Sequence, residues 1–454
     1  MNVSARVIRA FREALGLDRA IAASSATQLI RLVTGPITMV LIIRFLSPIE
    51  QGYYYSFAGV VGIQVFLEAG FSVSIAQFAA KEFAGLHFTN KQFLTGNQRN
   101  LSRLRSIFHQ ANRYYTAMAL VLTTVLAVGG YFFFASKPAD GVFWEIPWIV
   151  ISICAGLNFL LTPFWAVLEG CNRVADISIY RFGSTLVGFA ATAIGLMVSQ
   201  SIWVVIWGSI ASVLVAYGYL GLKWFPFAQQ LLRRGREHHQ VDWFKEIWGF
   251  QWRIAGTWGA RYMVEAGLPA IAFSFFGPLV AGQAGMSFQL SRMVATIASS
   301  WTTTKIPFWG SLAAKEHWAV LNASWKSSAI RHIILGLAGQ IALLLSVLAF
   351  YTFLPGKADR LLPPEVFAGF SIGWTLYGIW LVSMHYTRAL RREPFFLAHL
   401  AVAIGFLSTL YFTYHPFGVY ALTYTFALVH LPAAIYALLI LRTFRLQQKT
   451  VDIA

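Results

Sequence analysis

Twelve stretches of this chain are each long and apolar enough to cross a bilayer, and that repetition limits the possible folds more than any other feature. A crossing helix needs about 20 mostly apolar residues. The stretches are 21–45, 53–80, 114–135, 143–170, 178–199, 201–222, 249–276, 279–303, 329–353, 365–388, 395–414 and 417–441. Hydrocarbon offers the backbone no hydrogen-bond partner, so each stretch is expected to be a helix. Charge is scarce, at 12% of residues against roughly 25% in an ordinary soluble domain. The expectation is an all-α polytopic membrane protein with twelve transmembrane helices.

Lys and Arg collect on the cytoplasmic side of membrane proteins. Of the 35 here, counting residues at span edges with the adjoining connection, 28 fall in alternate connections and the two ends, four fall in the others, and three lie deep inside spans. That pattern predicts both termini in the cytoplasm. The formal charge of +17 would suggest nucleic acid in a soluble protein. Here the excess sits beside spans, so no nucleic-acid partner is expected. Residues 1–20 carry Arg6, Arg9, Arg12 and Arg19 without a cleavable signal pattern. Cys154 and Cys171 suggest neither a disulfide framework nor a metal site.

Six spans per half make the halves parallel rather than inverted repeats. Residues 1–222 are expected to form an amino-terminal lobe and 249–454 a carboxy-terminal lobe. Residues 223–248 between them are basic and rich in Phe, Leu and Trp, which predicts an amphipathic linker on the cytoplasmic membrane surface. The halves share one echo. Arg31 precedes Pro48 and Gly52 by 17 and 21 residues, and Arg261 precedes Pro278 and Gly282 by the same distances.

Arg31, Glu68, Arg261, Glu265 and Arg292 all fall near the middle of their spans. An Arg at mid-bilayer costs about 2.5–3.5 kcal/mol on insertion scales, so it is expected to face protein or water. Polar residues follow these charges at helical spacing: Ser24, Thr27, Arg31, Thr34 and Thr38; Gln64, Glu68 and Ser72; Arg253, Thr257, Arg261 and Glu265; Gln289, Arg292, Thr296, Ser299 and Thr303. Arg31 can pair with Glu68, and Arg261 with Glu265 one turn on. Arg292 then remains, which makes the centre net positive and suited to an anion. Ion pairs that merely join helices are the bland alternative.

Smaller signals are expectations of lower weight. Tyr53, Tyr54 and Tyr55 are placed to stack on sugars or to sit in an interfacial aromatic belt. His430 and His385 are candidates for titration near neutral pH, or for simple core packing. Pro36, Pro269 and Pro432 lie inside spans and are candidate kinks. No phosphate-binding Gly-rich motif, large outer loop or metal-ligand cluster is present in the sequence. No cofactor and no enzyme chemistry are expected.

The first hairpin, Leu46-Ser47-Pro48-Ile49-Glu50-Gln51-Gly52-Tyr53-Tyr54, and the stretch Glu68-Ala69-Gly70-Phe71-Ser72 resemble those of polysaccharide and O-antigen flippases. These belong to the multidrug/oligosaccharidyl-lipid/polysaccharide exporter superfamily. The resemblance implies two six-helix lobes around a central cavity, in the bacterial inner membrane. It implies a transporter that moves a prenyl-diphosphate-linked saccharide, its tail in membrane lipid, to the periplasmic leaflet. Arg31, Arg261 and Arg292 would then bind the diphosphate, and Glu68, Glu265 and His430 would pair charges or couple transport to protons or sodium. The rival readings are a cation-coupled multidrug exporter of the same superfamily and a membrane scaffold that transports nothing.

Overall fold

The computed structural model describes residues 19–233, 249–390 and 392–451. The side chains of Ser24, Arg253 and Thr257 and most of the expected linker lie outside the described residues. The chain forms two compact units: Met1–Ser47 with Ile63–Ala255, and Pro48–Gly62 with Gly256–Ala454. The boundaries differ from a simple cut at the linker, because residues 48–62 associate with the second unit rather than the first.

The first unit holds helix α1 (Arg19–Phe45). Helix α2 (Pro48–Val61) follows in sequence but packs in the second unit. The first unit resumes with α3 (Gln64–Glu68), α4 (Phe71–Phe83) and a small antiparallel hairpin, β1 (Leu86–Phe88) and β2 (Leu94–Gly96). The long helix α5 (Gln98–Ala135) comes next, then α6 (Glu145–Gly170), α7 (Val174–Ser199), α8 (Val204–Lys223) and α9 (Phe225–Leu232). Here α1 packs on α7, α7 on α8, and α6 on α4, α5 and α8.

Helix α10 (Gly249–Val264) leads into α11 (Leu268–Phe276) and α12 (Pro278–Thr303). The short α13 (Ile306–Ala314) precedes α14 (Trp318–Phe353) and a 3₁₀ turn at Pro355–Arg360. Helices α15 (Pro364–Ala389), α16 (Phe396–Phe417) and α17 (Val419–Val451) complete the chain. In the second unit α15 packs on α17, α14 and α12, while α2 packs on α11 and α12.

Among the described residues nine helices are long and apolar enough to cross a membrane, or ten if the broken pair Pro48–Glu68 and Phe71–Phe83 is one span. The two other expected stretches, 249–276 and 279–303, are also helical. The first is interrupted between Val264 and Leu268, and the second carries Arg292 within a run of hydroxyls and amides. Apolarity therefore understates their number.

Several expectations need correction. The basic connection 81–113 is not a plain loop: it contains the β1–β2 hairpin, and α5 begins at Gln98. The Gln230 side chain pins the hairpin, accepting from Leu94 N–H at 2.7 Å and donating to Leu94 O at 2.7 Å. Pro269 does not kink a continuous helix: it stands in the first turn of α11, after a break. Proline fits there because a first-turn N–H has no intrahelical acceptor. Tyr53 is fully buried, with ring centroids 5.3 Å from Phe273, so it is not available to stack on a sugar.

The sequence echo has a structural counterpart inside the second unit. Both Pro48 and Pro278 open helices, and both Gly52 and Gly282 lie four residues later. These glycines face each other's helix. A Cβ on Gly52 would run into Pro278 O, and one on Gly282 would lie 2.8 Å from Gly52 N and 3.0 Å from Pro48 O. Glycine is required because the backbones approach too closely for a side chain. Buried Gln51 seals the crossing, donating to Gly282 O and Arg360 O, both at 2.9 Å.

Candidate functional site

The second unit carries a cationic cluster. Arg261 sits in the last turn of α10, and Glu265 is the first residue beyond it, its N–H bonded to Arg261 O at 2.9 Å. One helical turn separates the side chains, so they meet. The guanidinium grips the carboxylate with two bonds, Nε to Oε1 at 3.0 Å and Nη2 to Oε2 at 3.1 Å. Such fork-to-fork pairs are stronger than single neutral hydrogen bonds and fix orientation as well. Tyr377 on α15 donates its hydroxyl to Glu265 Oε1 at 3.0 Å.

The α10–α11 break presents this pair. Gly267 N–H bonds back to Tyr262 O at 2.8 Å, closing the last turn, and Pro269 starts a new helix. Arg292 on α12 lies within electrostatic reach of both Arg261 and Glu265, and no ion pair of its own is found among the described residues. Arg261 and Arg292 thus stand as two guanidiniums near one carboxylate, an excess of one positive charge. The Arg261 side chain is 39% exposed, so the pair is not sealed in a dry contact.

The angular position of Arg292 shows where it does not point. Exposed Leu279, Ile297 and Trp301 mark the lipid-facing stripe of α12. At 3.6 residues per turn, Arg292 lies roughly 150° around from that stripe. Thr296, Ser299 and Thr303 share its side of the helix. Their hydroxyls donate to Arg292 O, Thr296 O and Ser299 O.

In the first unit Arg31 is exposed. The exposed apolar stripe of α1 is Leu29, Val33, Ile37 and Val40. Arg31 lies roughly 160° from the centre of that stripe, on the same side as Thr27 and Thr38. It is therefore exposed on the polar side of the helix. The expected Arg31–Glu68 ion pair does not form. Glu68 ends α3, Ala69 and Gly70 both take the left-handed conformation, and Ser72 donates its hydroxyl to Glu68 Oε1 at 2.5 Å.

His430 is buried in α17, with Nδ1 2.6 Å from Phe426 O on its own helix and its ring edge-on to Tyr377 at 5.5 Å. It stands one ring from the Arg261–Glu265 pair and has no charged hydrogen-bond partner among the described residues. His385 is also buried, with Nδ1 2.8 Å from Thr302 Oγ1. Among the described residues no group of three His, Cys, Asp or Glu is placed to hold a metal ion. Tyr377 was not anticipated from the sequence. Its only signal there is the spacing of Trp374, Tyr377 and Trp380 along one side of a helix.

No protein-family model and no curated protein matches the chain. Solved structures do. A multidrug resistance MATE family transporter of the MOP superfamily, in an inward-facing conformation, aligns with a TM-score of 0.68 over 95% of this chain and 99% of its own, at 12% identity. The lipid II flippase MurJ, in an inward closed conformation, aligns at 0.66 over 92% and 87%, at 12% identity. A MOP superfamily transporter from Pyrococcus furiosus, described as having a binding pocket of reverse polarity, aligns at 0.55 over 95% of each chain, at 12% identity.

The fold is that of the MATE and MurJ transporters of the MOP superfamily. That similarity covers nearly the whole chain and bears on architecture: a multi-pass helical membrane protein. At such identities it does not carry the substrate across.

Proposed function

We propose that this protein is a flippase that moves a lipid-diphosphate-linked oligosaccharide from the cytoplasmic to the periplasmic leaflet of a bacterial inner membrane, for envelope polysaccharide synthesis. The supporting observation is the excess of cation at mid-span. Arg261 pairs with Glu265, Arg292 lies near both with no ion pair of its own among the described residues, and Arg31 is exposed away from its helix's apolar stripe. A diphosphate crossing hydrocarbon must exchange its water for fixed donors. Guanidinium groups do this well, because their planar fork matches two phosphate oxygens at once.

In this reading a phosphate competes with Glu265 for Arg261. Displaced, Glu265 keeps the Tyr377 hydroxyl and becomes a candidate to take up a proton or a sodium ion, which would couple transport to a gradient. His430, packed on Tyr377, is a candidate for the same step. The saccharide remains unassigned.

The test is a leaflet-exposure assay in proteoliposomes with a prenyl-diphosphate saccharide as substrate. Arg31→Ala, Arg261→Ala and Arg292→Ala are each expected to slow flipping about tenfold or more, the loss of roughly 1.4 kcal/mol of headgroup interaction. Wild-type rates in all three would reject the cationic-site reading. The second reading is a cation-coupled multidrug exporter, compatible with the same fold; α1 offers a cation no carboxylate, and Glu68 is the one acid of the next span. Drug resistance conferred by the intact chain and lost on Glu68→Gln would support it instead.

A further inference from the structure

The last three spans leave a gap in their packing. Helix α17 packs on both α15 and α16, whereas α15 and α16 make no comparable contact with each other. A groove of about 570 Å³ lies between them, with α17 as its floor. Ile372 and Leu376 on α15, Thr409 and Thr413 on α16, and Ala421 and Leu428 on α17 stand along it. The volume falls within the roughly 300–1,000 Å³ typical of ligand pockets. Among the described residues no charged side chain lines it. Two of its hydroxyls are already bonded within the protein. Thr413 Oγ1 donates to Thr409 O at 2.6 Å, and Tyr424 donates to Glu365 O at 2.9 Å. A hydrocarbon chain laid there would leave both bonds intact.

The groove has the length of one leaflet. It begins where α16 ends at Phe417 and α17 starts at Val419, and it runs along α17 from Tyr420 to Leu431. Eleven residues of helix rise about 16 Å. Half of a hydrocarbon core about 30 Å thick is nearly the same distance. The mouth is open: Ile372, Tyr420, Leu428 and Leu431 are 44–57% exposed. Leu428 and Leu431 begin an exposed apolar stripe that continues through Ile435 and Leu438 on the same helix. The mouth is thus continuous with the apolar face that a span turns to lipid.

We propose that this groove binds one acyl chain of a phospholipid, from the leaflet at the end of the spans where α16 meets α17. The lining offers no charge to a headgroup, so occupancy follows abundance, and phospholipid chains are the commonest hydrocarbon in a membrane. A long prenyl tail would overrun a groove one leaflet deep. The bound chain fills the gap between α15 and α16 and backs the two helices that bring Tyr377 and His430 together. This site does not rest on the flippase reading.

Photocrosslinking of the intact protein tests the proposal, in nanodiscs of phosphatidylcholine with a diazirine in one acyl chain and mass-spectrometric mapping of the labelled residues. Leu376 and Ala421 should be labelled several-fold more than Ile334, Ile341 and Leu345, although these stand 52–59% exposed on α14 and Ala421 is buried. Ile372→Trp and Thr413→Phe fill the groove from opposite walls. Neither position is buried, so the melting temperature should hold. Each variant should bring Leu376 and Ala421 down to the α14 level. Labelling at that level in the wild type, the mark of ordinary boundary lipid, would overturn the proposal. So would undiminished labelling in both variants. Competition by a small fraction of prenyl-diphosphate saccharide would overturn it in favour of the substrate's tail. Unlabelled Leu376 in protein that is dimeric in the disc would assign the groove to a second copy instead.

Discussion

Glu265 shows how much one residue can hold in balance. Its carboxylate takes two bonds from Arg261 and one from Tyr377, with Arg292 in electrostatic reach. Glu265→Gln would remove the carboxylate that holds Arg261 and offsets the charge of Arg292 nearby, leaving two like charges without a counter-charge. The melting temperature should therefore fall. A diphosphate lipid should at the same time bind roughly tenfold tighter, about 1.4 kcal/mol, because its competitor is gone. Equal or weaker binding would remove Glu265 from the ligand cycle. Tyr377→Phe is milder: losing a hydrogen bond to a charged group costs about 1.5–3 kcal/mol, readable as a lower melting temperature. Cys171 offers a cleaner test, outside the spans. It is free, and burial pushes its thiol up to about 12, against a weaker opposing pull from Arg173. The thiol therefore stays protonated through neutral pH. Maleimide should leave Cys171 unlabelled in the folded protein at pH 7–8 and label it on unfolding; fast native labelling would contradict that. The Arg261–Glu265 pair was legible in the sequence because a four-residue spacing puts both on one face. Tyr377 was not, since it joins them from 112 residues away and looks like any aromatic in an apolar run. Depth in the sequence allowed an Arg31–Glu68 pair; in the structure Glu68 takes the hydroxyl of Ser72, one turn on, instead.

Among the elements, the openings of α2 and α12 carry the most information. A proline and a glycine four residues apart recur in both, and the glycines meet across one crossing. The recurrence was visible in the sequence, but the mutual contact was not. Spacing reports local geometry and says nothing about which distant helix lies opposite. Gly282→Ala should therefore act through packing. Its Cβ would meet only backbone, at 2.8–3.1 Å, and backbone cannot rotate away. A cost of about 1–3 kcal/mol, typical of overpacking, should appear as a lower melting temperature, whereas an unchanged value would mean that the helices separate freely. Ala69 tests the opposite sign. It ends α3 with φ of 48°, a conformation that costs an L-residue roughly 1–2 kcal/mol. Ala69→Gly should recover part of that strain and raise the melting temperature. The β1–β2 hairpin escaped the sequence reading for a simple reason. Strands of three residues are too short for alternation to register, and Gln230, which pins β2, comes from α9.

At the scale of the whole chain, the helical membrane architecture was legible because lipid imposes it: apolar length alone marks most spans. The spans that apolarity undercounts, α10–α11 and α12, are those that carry Arg261, Glu265 and Arg292. Charged and polar side chains there dilute the hydrophobic signal. The division into units was less legible, because α2 follows α1 in sequence yet packs on α11 and α12. Orientation is the remaining property of the whole molecule, and charge alone predicts it. The turn around Gly141 and the 3₁₀ turn at Pro355–Arg360 should lie outside. The Ala314–Trp318 connection, beside Lys305, Lys315, Lys326 and Arg331, should lie inside. Alkaline phosphatase, which folds only in an oxidising periplasm, fused at Gly141 and Gly356 should be active, and fused at Glu316 or beyond Phe444 inactive. Green fluorescent protein at the same positions should give the reverse. The expected outer side carries four basic residues of its own, Arg44, Lys137, Lys357 and Arg360, yet Arg360 is buried against Gln51, so it adds little to the orienting charge. Replacing it with Gln should leave every reporter unchanged. Inverted reporters in the wild type would reverse the predicted direction of transport, because the leaflet facing the basic connections is the one from which an anionic headgroup would load.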